Sequence, residues 1–308
     1  MEKTCVIIAG PTAAGKSSLA IELAKKFNTQ IISADSRQCY KELNIGVAKP
    51  SAAELDAVHH YFINSHSITE NVSAATFESF ALAAVNEIFK SNDNVIMVGG
   101  TGLYIRAFAE GMDIIPVIDP GTREGIAADF KVKGLKWLQQ QVLLIDPDYF
   151  NKIDNENPHR LIRALEVFRS TGEPISTYRT GGKTTRDFKI IMIGLELDRQ
   201  QLYERINVRA DKMIEKGLME EVQALYPFRH LTALQTVGYR EMFEHIDGHI
   251  SFETAIKSIK QNTRRYAKRQ MTWFKKEEKT HWIDATNTQT LLTQATEIIT
   301  AGKEKADI

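Results

Sequence analysis

The sequence Gly10-Pro11-Thr12-Ala13-Ala14-Gly15-Lys16-Ser17 follows an apolar run at 5–9 and precedes a helical pattern at 18–27. It fits the G-x-x-x-x-G-K-[ST] pattern of a phosphate-binding loop, in the strand-then-helix context that confirms such a match. Backbone N–H groups of this loop would surround a polyphosphate, and the helix dipole would favour its negative charge. Lys16 would add a positive charge, and Ser17 would offer a hydroxyl ligand to Mg²⁺. The chemistry stays open, because such loops bind many kinds of diphosphate.

The periodicity of apolar residues outside this loop predicts an α/β fold. The first strand, helix and second strand form a βαβ unit, which implies a parallel sheet with a right-handed crossover. Apolar residues at helical spacing predict a helix over 73–90, and a third parallel strand follows it. The predicted strands are 5–9, 30–34, 94–98, 190–197 and 280–284, and the predicted later helices are 199–224, 238–246 and 251–276. We therefore expect a P-loop NTPase-like parallel sheet flanked by helices.

The pattern changes after residue 114, which suggests an inserted helical domain. Mostly helical periods run from Arg123 to Phe168 and are interrupted at Asp146-Pro147 and Asn157-Pro158. A loop is predicted over 171–187. We expect a catalytic core formed by 1–114 and 188–308, with C-terminal basic helices, and a helical insertion at 115–187. The tail from Glu304 to Ile308 is expected to fray.

The composition argues against a membrane or secreted protein, and the distribution of charge marks one strongly basic segment. No apolar run approaches the roughly 20 residues of a membrane span, and no secretory signal pattern is found at the N-terminus. We therefore expect a cytoplasmic protein without membrane partners. The 39 basic and 39 acidic residues cancel, so no global field attracts nucleic acid. Residues 257–279, however, contain nine Lys or Arg against two Glu.

Polar residues follow three of the predicted strands, and ligands of open parallel sheets bind beyond such carboxyl ends. The first strand leads into the phosphate loop, the second into Ser33-Ala34-Asp35-Ser36-Arg37-Gln38, and the third into Gly99-Gly100-Thr101-Gly102. Asp35 could ligate Mg²⁺, act as a general base or cap the next turn. Thr101 could bind substrate or cap the helix that follows. The third strand lacks the terminal aspartate common in ATPases and GTPases, which counts against a hydrolase.

Eight motifs in order resemble the bacterial tRNA dimethylallyltransferase family, and they cover nearly the whole chain. They are the phosphate loop, Asp35-Ser36-Arg37-Gln38-Cys39-Tyr40, Ala48-Lys49-Pro50, His59-His60, Gly99-Gly100-Thr101-Gly102-Leu103-Tyr104, 160–167, Val237-Gly238-Tyr239-Arg240-Glu241 and Lys268-Arg269-Gln270-Met271-Thr272-Trp273-Phe274. Two small departures are Ala14, where the family often has Ser or Gly, and Val47, where it usually has Thr. For His59-His60, structural packing is preferred over a metal pair.

The resemblance implies transfer of a dimethylallyl group from dimethylallyl diphosphate to N6 of adenine 37 in tRNAs that read codons beginning with U. Pyrophosphate is the leaving group, and a monomer is the family expectation. Family positions imply that the diphosphate is bound by the phosphate loop, Lys16, Arg209 and Mg²⁺. A solvated helix charge is the alternative for Arg209. Asp35 matches the proposed general base, and Thr101 matches a position that contacts the target nucleotide.

The same resemblance implies contacts with the anticodon stem-loop of tRNA, whose target base must be extruded from its stack. The residues that match family tRNA contacts are Asp35, Ser36, Arg37, Gln38, Thr101, Arg123, His159, Arg160, Leu161, Ile162, Arg163, Gln235, Thr236, Val237, Gly238, Tyr239, Arg240, Lys268, Arg269, Gln270, Met271, Thr272, Trp273, Phe274 and Lys275. On the basic helix, Lys257, Lys260, Arg264 and Lys268 are expected to share one face, while Ile259, Tyr266 and Trp273 mark an apolar stripe.

Three other functions remain open on the sequence. An adenylate isopentenyltransferase would use the same donor with AMP, ADP or ATP as acceptor. A small-molecule kinase would use the loop for ATP and the insertion as a lid. A nucleotide-binding module without turnover is disfavoured by the polar strand ends.

Overall fold

A computed structural model describes residues 2–304, and it contains one six-stranded sheet. The strands are β1 Thr4–Ala9, β2 Ile31–Ala34, β3 His60–Tyr61, β4 Asn94–Gly99, β5 Lys189–Glu196 and β6 Thr280–Asp284. The helices are α1 Lys16–Lys26, α2 Ala52–Ala57, α3 Ala74–Ile88, α4 Gly102–Glu110, α5 Pro120–Ile145, α6 Pro147–Lys152, α7 Pro158–Thr171, α8 Ile175–Tyr178, α9 Arg199–Glu215, α10 Leu218–Leu225, α11 Tyr239–Ile246, α12 Phe252–Phe274 and α13 Leu291–Glu304. The tail expected to fray lies outside the described residues except for Glu304.

Every strand pair in the sheet is parallel, and the strand order is β3-β2-β4-β1-β5-β6. The predicted α/β class and parallel sheet are thus confirmed. β1 lies between β4 and β5, and all six of its residues are buried. A strand covered on both faces needs a continuous apolar run, which is what the segment after Lys3 provides.

Alternating residues of the central strands build two separate cores, one on each face of the sheet. Ile7 and Met97 pack in the larger core with residues of α3, α4 and α10–α12. Val6 and Ile8 pack in the smaller core, which α1 and α13 cover. Because both faces are covered, the carboxyl ends of the strands are the place where the sheet leaves polar groups accessible.

The chain divides into two compact units by its internal contacts, 1–110 with 185–308 and 111–184. The second unit contains α5–α8 and has its own apolar core, which includes Ile126, Leu138, Val142 and Leu165. α6 and α7 begin at the two predicted breaks, with Asp146 and Asn157 as their N-caps. The expected insertion at 115–187 overlaps this unit.

Several elements differ from the sequence-based expectation. The helix predicted over 199–224 is two helices, because Gly217 adopts a left-handed conformation with φ 93° between α9 and α10. The loop predicted over 171–187 contains the short helix α8. The short elements α2 and β3 and the C-terminal α13 were not predicted. His60 begins β3, and its Nδ1 is 2.7 Å from the Val58 carbonyl oxygen.

None of the helices within residues 2–304 is long and apolar enough to cross a bilayer.

Candidate functional site

The polar ends of β2, β4 and β1 meet, because these strands are neighbours in the sheet. The Thr101 hydroxyl, after β4, accepts a 3.1 Å hydrogen bond from the Ser36 N–H, after β2. The Gln270 side chain, from α12, joins β4 to the phosphate loop. Its Oε1 accepts from the Thr12 N–H at 2.8 Å, and its Nε2 donates to the Gly100 carbonyl at 2.9 Å. The predicted convergence of the three strand ends is confirmed.

The phosphate loop adopts backbone conformations that explain its glycines. Gly10 has φ 138°, and a Cβ there would lie 2.6 Å from the Leu195 carbonyl oxygen, so only glycine fits. Gly15 has φ 93° at the N-cap of α1, and Ala13 has φ 65°. These conformations suit glycine far better than residues with a Cβ. The loop delivers the chain into α1, whose first-turn N–H groups have no intrahelical acceptors.

Lys16, Ser17, Asp35 and Arg209 line one small cavity of about 80 Å³, together with Thr12. We call it the central cavity. Lys16 is half-buried, and its Nζ donates to the Pro11 carbonyl at 2.7 Å. Its pKa is lowered to about 7, first by burial and then by the Arg209 charge, while Asp35 partly opposes both. Burial also lowers the pKa of Arg209. Arg209 is therefore not a solvated helix charge: it lies in the site.

Asp35 uses one carboxylate oxygen for structure. Oδ1 accepts from the Arg37 N–H at 2.8 Å and the Gln38 N–H at 3.2 Å, so it caps the turn after β2. Within residues 2–304, Oδ2 accepts no protein hydrogen bond. Capping is thus one role of Asp35, and the second oxygen is left for a base or a metal ligand.

Thr101 does not cap the following helix through its side chain. Its backbone carbonyl accepts from the Tyr104 and Ile105 N–H groups at 2.9 and 3.2 Å. The hydroxyl contacts Ser36 and forms a side-chain hydrogen bond with Tyr266. Its place between the strand ends leaves contact with a substrate open.

A second cavity of about 340 Å³, which we call the outer cavity, adjoins the central one. Thr12, Asp35, Arg209 and Tyr266 line both. Other residues of the outer cavity come from predicted tRNA contacts: Ser36, Arg37, Gln235, Thr236, Val237, Gly238, Arg240 and Arg269. The structure therefore brings three separate segments of the sequence to one opening.

A third cavity, the wide cavity, has a volume of about 1120 Å³ and is also lined by Lys16. It shares Lys16, Ser17 and Arg209 with the central cavity. Its lining includes six cationic residues and a single acid: Lys16, Lys49, Arg205, Arg209, Lys212, Lys216 and Glu204. This excess of positive charge suits a polyanion. The central cavity thus shares lining residues with a cationic cavity and with the outer cavity.

The predicted tRNA contacts on α12 differ in their exposure to solvent. Lys268, Arg269, Thr272 and Lys275 are exposed, Met271 and Trp273 are half-buried, and Gln270 and Phe274 are buried. Lys275 also bonds to Glu196 at 2.5 Å. The expected basic face is partly occupied, because Lys260 pairs with Asp211 and Arg264 bonds to Asn207, both on α9.

The remaining predicted tRNA contacts lie in the second unit. His159 and Arg160 are exposed at the start of α7, Ile162 is half-buried, and Leu161 is fully buried in the core of the unit. Arg123 and Arg163 both pair with the buried carboxylate of Glu166, at 3.0 and 3.2 Å. Two of these arginines therefore also stabilise the unit itself.

Residues 38–277 match the family model for IPP transferase. The chain belongs to the IPP transferase family. The resemblance drawn from the eight motifs is confirmed. Among curated relatives, tRNA dimethylallyltransferases of Christiangramia forsetii and Cytophaga hutchinsonii are each 48% identical; each alignment covers 92% of this chain and 94% or 93% of the relative.

Solved structures of the IPP transferase family share the fold. A tRNA isopentenylpyrophosphate transferase from Bacillus halodurans gives a TM-score of 0.73 at 35% identity, covering 99% of both chains. A eukaryotic dimethylallyltransferase described as acting on tRNA gives 0.79 at 26% identity, covering 96% of this chain and 77% of that one. The predicted P-loop-like sheet is thus found in characterised family structures.

Two site residues of this IPP transferase were missed or misread from sequence. Tyr266 was assigned to an apolar stripe, but burial, with Asp35 as a further cause, raises the pKa of its hydroxyl to about 12. The residue as a whole is 37% exposed, and it lines both the outer and the central cavity. Gln270 lies four residues on, and i,i+4 spacing places both on one helix face. This spacing is the feature of the sequence that indicates a shared location for Tyr266 and Gln270.

We predict that a diphosphate ester takes up a proton when it binds this IPP transferase at pH 8. Free Lys16, with a pKa of about 7, is mostly neutral there, and a bound anion favours its charged form. The ester itself is fully ionised, since its last pKa is about 6. Uptake should vanish well below pH 7, and affinity should fall as pH rises above 7.

Calorimetry in two buffers of different ionisation enthalpy measures this uptake. Lys16→Arg is the matched control, because arginine keeps its proton and should show none. Equal binding enthalpies in both buffers for the unmodified protein would contradict the prediction.

Proposed function

We propose that this chain transfers the dimethylallyl group of dimethylallyl diphosphate to N6 of adenine 37 in tRNAs that read codons beginning with U, and releases pyrophosphate. The observation that carries the proposal is the central cavity, which Lys16, Arg209 and Asp35 line together and which shares lining residues with both larger cavities. The names of the relatives support the same activity.

The diphosphate of the donor enters through the wide cavity and binds the phosphate loop. The C–O bond of the allylic carbon breaks, and negative charge grows on the leaving pyrophosphate. Loop N–H groups, Lys16 and Arg209 stabilise that charge, and they do so in a partly dehydrated site where fixed charges act strongly. The loop therefore acts on the leaving group, and the reaction needs no ATP.

The adenine enters through the outer cavity. Its exocyclic amine is a poor nucleophile, because its lone pair is delocalised into the ring. As N6 forms a bond to the allylic carbon, Asp35 Oδ2 accepts a proton from N6. The Thr101 hydroxyl bonds to Ser36, the neighbour of Asp35, and the Asp35 charge acts on the Tyr266 hydroxyl, so both are available near the base. Burial keeps Tyr266 protonated at neutral pH, so it stays a hydrogen-bond donor.

The residues at the central cavity fit Mg²⁺. Ser17 and Asp35 both line it, and hydroxyl and carboxylate oxygens are the ligands that this ion prefers. No cluster of three or more His, Cys, Asp or Glu suited to a metal occurs within residues 2–304. Mg²⁺ at diphosphate sites needs only one or two protein ligands, since phosphates and water supply the others. When bound, it would neutralise charge on the diphosphate.

The tRNA surface that we propose surrounds the outer cavity. It includes residues 35–38, 235–240 and the exposed cations Lys268, Arg269 and Lys275 of α12. The exposed His159 and Arg160 of the second unit add contacts with the anticodon stem-loop. The proposed acceptor implies a cytoplasmic enzyme, and we propose that it acts as a monomer.

The acceptor is tested by incubating the protein with Mg²⁺, labelled dimethylallyl diphosphate and either tRNA, AMP or ATP. We expect label in tRNA alone, because the outer cavity is surrounded by tRNA-type contacts. A tRNA with guanine in place of adenine 37 is the matched control and should stay unlabelled. Label in AMP or ATP but not in tRNA would instead identify an adenylate isopentenyltransferase, and phosphorylation of a small molecule would identify a kinase.

Asp35→Asn tests the proposed base. An amide keeps an oxygen for the turn-capping bonds from Arg37 and Gln38, but it cannot accept the proton. We expect kcat to fall by about 10²–10⁴-fold, with tRNA binding nearly unchanged.

Asp56→Asn, on the exposed face of α2, controls for the loss of a charge and should leave kcat unaltered. An Asp35→Asn enzyme with normal kcat would remove Asp35 as the base.

A further inference from the structure

We propose that Glu221 is a positioning residue that fixes the wall between the two substrate openings; this rests on the proposed function. The wall is residues 44–48, which we call the wall loop. Glu221 lies on α10, outside every motif that indicated the family.

The Glu221 carboxylate accepts four hydrogen bonds. Oε2 accepts from the N–H groups of Asn44 and Ile45, at 3.1 and 2.8 Å. Oε1 accepts from the Gly46 N–H at 2.9 Å and from the Tyr239 hydroxyl at 2.6 Å. Three consecutive backbone donors of the wall loop thus point at one carboxylate. Hydrogen bonds to an ionised acceptor are about twice as strong as neutral ones.

Tyr239 extends this arrangement to the acceptor side. It is fully buried and lies within the segment 235–240, whose other residues line the outer cavity. A Cβ on Gly46 would lie 2.5 Å from the Tyr239 ring, so glycine is required for the loop to approach it. Burial and the neighbouring Glu221 raise the pKa of Tyr239, so its hydroxyl stays a donor. One carboxylate therefore holds the wall loop and the 235–240 segment together.

The wall loop contributes to all three cavities. Asn44, Ile45 and Ala48 line the wide cavity, Gly46 and Val47 line the outer one, and Ala48 also lines the central one. A shift of this loop would change the space for the donor and for the adenine at once. Misplacement by about 1 Å can cost a reaction roughly 100-fold.

The wall loop needs external support. Ala48 has φ 43°, a conformation that residues with a Cβ adopt at a cost. Gln38 Nε2 donates to the Val47 and Ala48 carbonyls at 3.3 and 3.1 Å. Gln38 thus binds the carbonyl side of the loop, while Glu221 binds its N–H side.

Glu221→Gln is the main test. In either orientation of the amide, an NH₂ group replaces an acceptor, so at least one wall-loop N–H loses its partner. Assayed well below its melting temperature, the variant should show a higher KM for dimethylallyl diphosphate and a kcat/KM lower by about 10–100-fold. Glu220→Gln, the exposed neighbour on the same helix, is the control and should match the unmodified enzyme.

Two further variants keep the test decisive. Tyr239→Phe removes one of the four bonds and leaves the three loop bonds, so its effect on the donor KM should be smaller. Glu221→Asp keeps the charge but withdraws it by one methylene, and it should change the kinetic constants in the same direction as Glu221→Gln. If Glu221→Gln does not fold, Glu221→Asp is the variant that tests the proposal.

The outcomes distinguish a role of Glu221 in positioning the wall loop for the reaction from a role in the stability of the fold alone. A lower melting temperature with unchanged KM and kcat in Glu221→Gln, or in Glu221→Asp if that variant is needed, overturns the proposal. An unmodified enzyme that transfers nothing to tRNA refutes the proposed function instead. A raised donor KM in the Glu221 variants of an active enzyme supports the positioning role.

Discussion

Two hydrogen bonds from the buried amide of Gln270 hold the phosphate loop against the end of β4. Gln270 is 6% exposed, so its amide has little access to water as an alternative partner. A buried polar group left without a partner costs about 1–3 kcal/mol. The arrangement in which Gln270 bonds to both Thr12 and Gly100 is therefore favoured. Gly100 must lack a side chain, since a Cβ there would lie 2.2 Å from Nε2. The amide thereby fixes α12, and with it Tyr266, relative to the loop.

The charges of the site depend on this arrangement. Burial disfavours the charges of both Lys16 and Arg209, and Arg209 lies close enough to disfavour the charge of Lys16 further. Such a pair of like charges is unfavourable without an anion, and Lys16 bonds to a loop carbonyl in the free protein. A bound diphosphate would neutralise these two positive charges and remove the unfavourable interaction between them. In the proposed function, the kind of loop that binds nucleotides elsewhere stabilises a leaving pyrophosphate, and the acceptor base occupies the outer cavity.

Local patterns predicted much of this molecule, and long-range contacts explain what they missed. The phosphate loop, the buried strands and the long helices each follow from a periodic or short motif, so their bounds agree with the structure within a few residues. β3 has two residues and pairs only with β2, so no local pattern marks it. Gln270, Tyr266 and Glu221 act on residues far away in sequence. Gln270 could be read as a surface contact because its partners, Thr12 and Gly100, are not visible from its own helix.

The central claim is that the phosphate loop binds the leaving group of the donor and not a nucleotide that is hydrolysed. The most direct measurement is the phosphate balance of the reaction with tRNA, with and without added ATP. The account predicts one pyrophosphate released for each dimethylallyl group transferred, at the same rate without ATP. Transfer that requires ATP, or that releases orthophosphate from it in proportion to product, would contradict the account.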